Sequence, residues 1–227
     1  MVSKSEPLPE GTVIMADNQF AGRGQQENTW HSEPGLNLTF SIFLKPAFLP
    51  VNKQFMLNIA VSNGINKALG HFVKEGVQVK WPNDIYFKGR KIGGVLIENS
   101  ISGTAFKSTI VGIGLNVNQQ KFDAEKTNVA TSLYEILQHD VNLIALLAEV
   151  CSHIESQYLK LKAGNYNSLM KDYLENLYRF NKLGLYRQNG EVFEARITGI
   201  TEAGQLILLT SGEEKLYSFK EVEFLKD

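Results

Sequence analysis

Residues 37–44 carry Leu38, Phe40, Ile42 and Leu44 at every second position, the period of a strand with one buried face, and Pro46 and Pro50 end it. A shorter apolar run at residues 12–16, TVIMA, reads as a strand ahead of it. Between residues 52 and 72 the period lengthens. Phe55, Ile59, Ile65, Leu69 and Phe72 fall near one stripe, which predicts a helix, with Gly64 and Gly70 blurring its limits. Residues 77–81 and 85–87 read as strands around Pro82, and Lys88-Gly89 as a tight hairpin turn, because glycine tolerates positive φ. The return strand covers residues 91–98 and leads through Ser102-Gly103 to another at 106–112. The clearest helix runs over residues 142–161: Leu143, Leu146, Leu147, Val150, Ile154, Tyr158 and Leu161 follow steps of three and four, with Asn142 as N-cap. A third helix is expected at 166–178.

After Phe180 the texture changes to short strands, LGLYR, EVFEARITGI, QLILLT and EKLYSF. Asn189-Gly190, Ala203-Gly204 and Ser211-Gly212 punctuate them at even intervals, as in a small β-barrel. The expected class is therefore α+β: a mixed β-sheet packed with helices over residues 1–180, then a small barrel over 181–227.

Composition adds mainly exclusions. Of 227 residues, 43% are apolar and 21% charged, and the net charge is −1 with both signs mixed, so nothing favours DNA or an anionic membrane. No apolar run approaches the roughly 20 residues of a membrane-spanning helix. The N-terminal residues lack the apolar segment of a secretory signal. A single cysteine, Cys151, cannot form an internal disulfide and reads as a buried structural thiol. A cytoplasmic protein is expected. His31, His71, His139 and His153 show no metal-ligand spacing, and no Walker A sequence occurs.

Three segments have compositions unusual for structural elements. In Gln19 through Trp30, Gly22 and Gly24 flank Arg23: glycine lets backbone N–H groups approach an anion, arginine offers a donor fork, and Trp30 an aromatic face for a base. Alone it would more often be a polar surface loop. The second segment is Lys80-Trp81-Pro82-Asn83-Asp84 followed by Lys91-Ile92-Gly93-Gly94-Val95-Leu96-Ile97-Glu98. A lysine at a strand edge beside two glycines can reach a ligand that the backbone also touches, and Asp84 suits Mg²⁺, a hard cation. Its bland counterpart is a strand-turn-strand with solvated lysines. The third, Gly112-Ile113-Gly114-Leu115-Asn116, could equally be a strand end where glycine permits close packing.

Together and in this order, Gly22-Arg23-Gly24 through Trp30, KWPND with KIGGVLIE, and GIGLN resemble the biotin–protein ligases, and the resemblance covers nearly the whole chain. It implies a class II synthetase-like catalytic domain with a C-terminal SH3-like barrel. The implied reaction activates biotin with ATP and Mg²⁺ and transfers the biotinyl group to a lysine of a biotin carboxyl carrier protein. By the same resemblance Gln19 bonds the ureido ring of biotin, while Gly22 and Arg23 border its valerate chain and acyl-phosphate. Lys91 lies on the biotin carboxylate and the α-phosphate, which makes it and Arg23 the catalytic pair. Gly94, Leu96, Gly112 and Gly114 line the biotin slot. Trp30, Lys80, Asn83, Asp84 and Asn116 form the nucleotide and magnesium side.

The chain departs from the family at Gln25-Gln26-Glu27-Asn28, where an Arg-x-Gly-Arg run is usual, which predicts weaker retention of the intermediate. A Ser-Thr-Asn element that helps hold the biotin ring is not found ahead of Thr12, so an N-terminally shortened domain with weaker biotin affinity is expected. The DNA-binding domain of the bifunctional members is also not found, which argues against repressor function. Two readings stay open beside a ligase: a lipoate or octanoyl transferase, and a non-catalytic biotin- or nucleotide-binding protein. A homodimer through sheet edges is possible, and nothing in the sequence says which edge strand is free.

Overall fold

The computed structural model describes residues 8–25, 29–122 and 129–225. Its larger sheet takes β1 (Val13–Met15), β4 (Leu38–Leu44), β5 (Val77–Lys80), β6 (Asp84–Phe87), β7 (Arg90–Ser102) and β8 (Ala105–Leu115) in the order β1-β4-β8-β7-β6-β5. A two-stranded ribbon, β2 (Gly22–Arg23) with β3 (Thr29–Trp30), stands apart. Lys88 and Gly89 both have positive φ, so the β6–β7 hairpin turns where the sequence places it.

Every ladder of the larger sheet is antiparallel, which corrects the expectation of a mixed sheet. The reason is topological. Helix α1 (Phe55–Val73) carries the chain from β4 to the far edge, so β5 runs in the direction of β4 but is separated from it by β8, β7 and β6. Among the described residues parallel pairing is confined to isolated bridges at Val79–Leu177, Lys91–Ala130 and Phe180–Ile197.

Leu38, Phe40, Ile42 and Leu44 are all buried and turn one face of β4 into the core, as their alternation requires. Helix α1 packs against β5 and against α3 (Leu143–Lys162) and α4 (Tyr166–Glu175). Ile59, Ile65 and Leu69 are 0% exposed, and each such burial contributes about 1.5–3 kcal/mol. The helix is covered on more than its predicted stripe. Its buried Asn58, Asn63 and Asn66 donate to the carbonyls of Pro82 (2.6 Å), Leu169 (2.9 Å) and Val77 (3.0 Å). These bonds offset part of the cost of burying the three amides, the Asn63 Oδ1 having no partner among the described residues, and tie α1 to its neighbours. Asn142 caps α3 as expected, its side chain accepting from Ala145 N–H. The short helix α2 (Leu133–Leu137) was not anticipated.

Strands β9 (Leu183–Gln188), β10 (Glu191–Ile200), β11 (Leu206–Thr210), β12 (Glu213–Tyr217) and β13 (Glu223–Phe224) form a second antiparallel sheet in the order β12-β11-β10-β9-β13. It shares one apolar core with the first. Trp81 Nε1 donates to the Gly204 carbonyl at 2.9 Å, and Phe55 packs so closely on Gly204 that an added Cβ would lie 2.5 Å from the ring. Among the described residues no helix is long and apolar enough to cross a membrane.

Candidate active site

Where α1 covers one face of the larger sheet, the other face holds a cavity of about 820 Å³. Its floor follows from strand register. Asp84 is paired with Gly94, Gly94 with Gly114, and Gly114 with Thr39. In the next row Leu96 is paired with Gly112, Gly112 with Ser41, and Ser41 with Ile14. All eight residues line the cavity. The glycines at 94, 112 and 114 thus remove side chains from adjoining positions on one face and leave a trough.

Each glycine has a different neighbour. At Gly114 an added Cβ would lie 2.5 Å from Trp30 Cε2, so the indole lies directly on the sheet. At Gly112 the nearest atom, Leu96 O, would be 3.5 Å away, an ordinary contact, and only the trough itself would be filled. Trp30 is held by the β2–β3 ladder, and its Nε1 is buried with no hydrogen-bond partner among the described residues. A ligand in the trough is the natural acceptor.

A β-bulge aims Lys91. Ile85 is paired with Gly93 but Tyr86 with Lys91, so Ile92 is the extra residue. Its side chain is fully buried in the core. Strict alternation from Gly94 would turn Lys91 to the opposite face; the inserted residue returns it to the cavity side. There Lys91 Nζ lies 2.6 Å from Asp84 Oδ1 and 5.9 Å from the centroid of the Trp30 ring.

Lys80 is set deeper. Its Nζ donates to Tyr86 Oη at 3.1 Å and sits between the rings of Tyr86 (5.0 Å) and Phe224 (5.1 Å). Burial lowers its pKa, Asp84 partly offsets this, and Lys91 and Arg179 lower it further. Burial also raises the pKa of Tyr86, keeping the phenol a donor. Asn83 donates to the Val95 carbonyl while Val95 N–H donates to Asn83 O at 3.0 Å, which clamps the Trp81–Asp84 turn to β7.

Gln19, Arg23, Trp30, Lys80, Asn83, Asp84, Lys91, Gly94, Leu96, Gly112 and Gly114 therefore all reach the cavity wall. Arg23 does so at an exposed rim, with its guanidinium engaged by Glu98 Oε2 at 2.7 Å. Two expected residues lie behind the wall. Gly22 packs under the Trp30 carbonyl, where a Cβ would not fit. Asn116 is buried, donates to Thr131 O at 3.0 Å and holds the turn from β8 into α2. Of the departing run, Gln25 lines the cavity and residues 26–28 lie outside the described residues. Phe219, Lys220, Val222, Glu223 and Phe224 complete the wall from the second sheet, and no motif in the sequence pointed to them.

This is a glycine-floored cavity with two lysines, a carboxylate and an indole in its wall, the kind of site that acyl-activating ligases use. The family model described as biotin/lipoate A/B protein ligase matches residues 3–118, and the chain belongs to that family. It is 32% identical over 222 residues to the bifunctional ligase/repressor BirA of Bacillus subtilis, an alignment covering 92% of this chain but only 65% of that protein. It is 24% identical to the biotin–[acetyl-CoA-carboxylase] ligase of Mycobacterium tuberculosis, over 96% of this chain and 80% of the other. Among solved structures, biotin protein ligase from Aquifex aeolicus in complex with biotin and ATP superposes with a TM-score of 0.83 at 28% identity, covering 99% of this chain and 93% of that one.

Proposed function

We propose that this chain is an ATP-dependent biotin–protein ligase that forms biotinyl-AMP and passes the biotinyl group to a lysine of a carrier protein. The observation that carries the reading is the bulge-directed Lys91 at the end of a glycine-floored trough. The trough is sheet-walled and apolar at Leu96 and Ile14, which suits a fused ring with an aliphatic tail. Gln19 at the wall supplies an amide for the ureido group. The tail's carboxylate then meets Lys91.

Adenylation sets that carboxylate against a polyanion, so the site must cancel repulsion before it can align attack. A carboxylate oxygen attacks the α-phosphorus, and the bond to the leaving pyrophosphate breaks as the acyl-phosphate bond forms. Lys91 and Lys80 bring two positive charges to that point, and Lys91 stabilises the charge that builds on the α-phosphate. Arg23 acts from the rim once the acyl-phosphate displaces Glu98. The Trp30 indole, which rests on Gly114, lifts from that place to cover the intermediate, keeps water from it and bonds ligand through its N–H. The carrier's amine attacks the acyl carbon, the bond to AMP breaks, and the amine loses its proton.

Of the three carboxylates in the cavity wall, Asp84, Glu98 and Glu223, the first suits Mg²⁺. Asp84 is a cavity carboxylate between the two lysines, and Mg²⁺ is commonly held by one or two carboxylates together with substrate phosphates. Bound there with ATP, the ion would supply further neutralisation of the polyphosphate. The second sheet is read as the family's SH3-like barrel, with Phe219 and Phe224 on the nucleotide side. The carrier partner is a biotin carboxyl carrier domain, and the cytoplasm, with its ATP pool, is the setting.

Incubating the purified chain with ATP, Mg²⁺, biotin and an apo carrier domain tests the reading by carrier mass. A gain of one biotinyl group supports it. No gain with biotin but a gain with lipoate would replace it by a lipoate ligase. No gain with either would leave a binding protein.

A further inference from the structure

We infer that His71, Glu149 and His153 form a binding site for a divalent transition-metal ion of the Zn²⁺ class, clamping α1 to α3 on the side of the sheet away from the cavity. The sequence spreads these residues over two helices, and the histidines there read as unrelated. The fold brings them together. His71 Nδ1 lies 2.6 Å and His153 Nε2 3.1 Å from the same carboxylate oxygen, Glu149 Oε1. The three ligand atoms fall within 4.8 Å of one another, and among the described residues this is the one such group.

Two imidazoles converge on that one oxygen, their rings 4.8 Å apart and edge to face at 75°. A divalent cation entering between the three groups takes the carboxylate oxygen and, in the neutral tautomers that turn a lone pair inward, the two facing nitrogens. A neutral-imidazole pair with one carboxylate is a donor set for Zn²⁺, Cu²⁺ or Ni²⁺ rather than for Mg²⁺ or Ca²⁺. In a tetrahedral site with bonds of about 2.0–2.2 Å the ligand atoms stand about 3.4 Å apart, so side-chain rotations that open the two contacts to Glu149 and draw the two nitrogens together reach it. The fourth position would be left to water.

The helices favour it further. Glu149 and His153 are four residues apart on α3 and so share a face. His71 lies in the last turn of α1, where the helix carbonyls favour positive charge. All three ligands sit on packed helices, which fix geometry better than loops do.

The full chain, stripped with a chelator, would be titrated with Co²⁺ and then Zn²⁺ while following the cobalt d–d bands and the thermal midpoint. His71→Gln, Glu149→Gln and His153→Gln are compared, with circular dichroism of each metal-free variant confirming its fold. The expected result is saturable binding of one equivalent, a midpoint raised by Zn²⁺, and at least a tenfold loss of affinity in each variant. Binding unchanged in the histidine variants, with the ion then held at Asp84 or Cys151, would overturn the assignment. So would no saturable binding by the wild-type chain at submillimolar Zn²⁺. Neither outcome bears on the ligase reading, which the carrier assay decides.

Discussion

Lys91 Nζ and Asp84 Oδ1 lie 2.6 Å apart on neighbouring strands, both partly exposed to the cavity. The pair sits in reach of water, so its contribution to stability is small, about 0–1 kcal/mol. Its value is positional: it parks the ammonium where the carboxylate of an acyl substrate arrives. Lys91→Ala is therefore expected to lower the rate of biotinyl-AMP formation about 10²–10³-fold, the range seen when one donor to a developing oxyanion is removed. The thermal midpoint should hardly move. Single-turnover adenylation together with calorimetry checks both halves.

Gly112 gives a cleaner separation of site from fold. A Cβ there meets Leu96 O at 3.5 Å and Leu96 Cβ at 3.8 Å, both ordinary contacts, so the strand accepts a side chain. Valine, with its high strand propensity, should leave the chain as stable or slightly more so. It should also fill the trough and abolish biotin binding. Retained biotin affinity in Gly112→Val, by isothermal titration, would place the ring elsewhere.

The two glycines of α1 should behave oppositely. Helix propensity favours alanine over glycine by about 1 kcal/mol at either position. Gly70 has nothing within 4 Å of an added Cβ, so Gly70→Ala should stabilise by about that amount. At Gly64 the Cβ would lie 2.7 Å from Ile154 Cα, backbone that cannot rotate away. Overpacking costs about 1–3 kcal/mol or more and wins, so Gly64→Ala should destabilise. Denaturant midpoints of the two variants decide it.

Lys80 predicts a pH signature. Its pKa is lowered from 10.5 chiefly by burial, so between the folded and unfolded values the unfolded chain holds more protons and stability rises with pH. Below the folded value the penalty for burying the charge is fully present. Lys80→Met should thus unfold later than wild type at neutral pH, with the gap closing as the pH climbs toward 10.5. The same variant should bind ATP more weakly. A gap that widens with pH would contradict the burial argument.

Much of this was written in the pattern of residues. Glycine at 112 and 114 and at 94 marks one face of two strands, and the Lys88-Gly89 turn fixes which strands pair. Pairing direction is another matter, because alternation has no sign, and the all-antiparallel order depends on where α1 sets the chain down. Helix α2, five residues long, is too short to show a period. The resemblance puts Asn116 on the nucleotide side, yet the chain turns inward there and its amide donates to Thr131 O. The aim of Lys91 depends on a single inserted residue, which no periodicity before the fold could locate. His71, Glu149 and His153 meet only because α1 and α3 pack side by side.

The reach of Phe224 to Lys80 has a practical consequence. Every motif that marks this site lies ahead of residue 119, whereas one stretch of wall comes from residues 219–224. A fragment ending after GIGLN would score as complete in any motif search and still be open-sided. An acyl-phosphate formed in it would drain to hydrolysis as an idle ATPase-like leak, spending nucleotide without labelling a carrier.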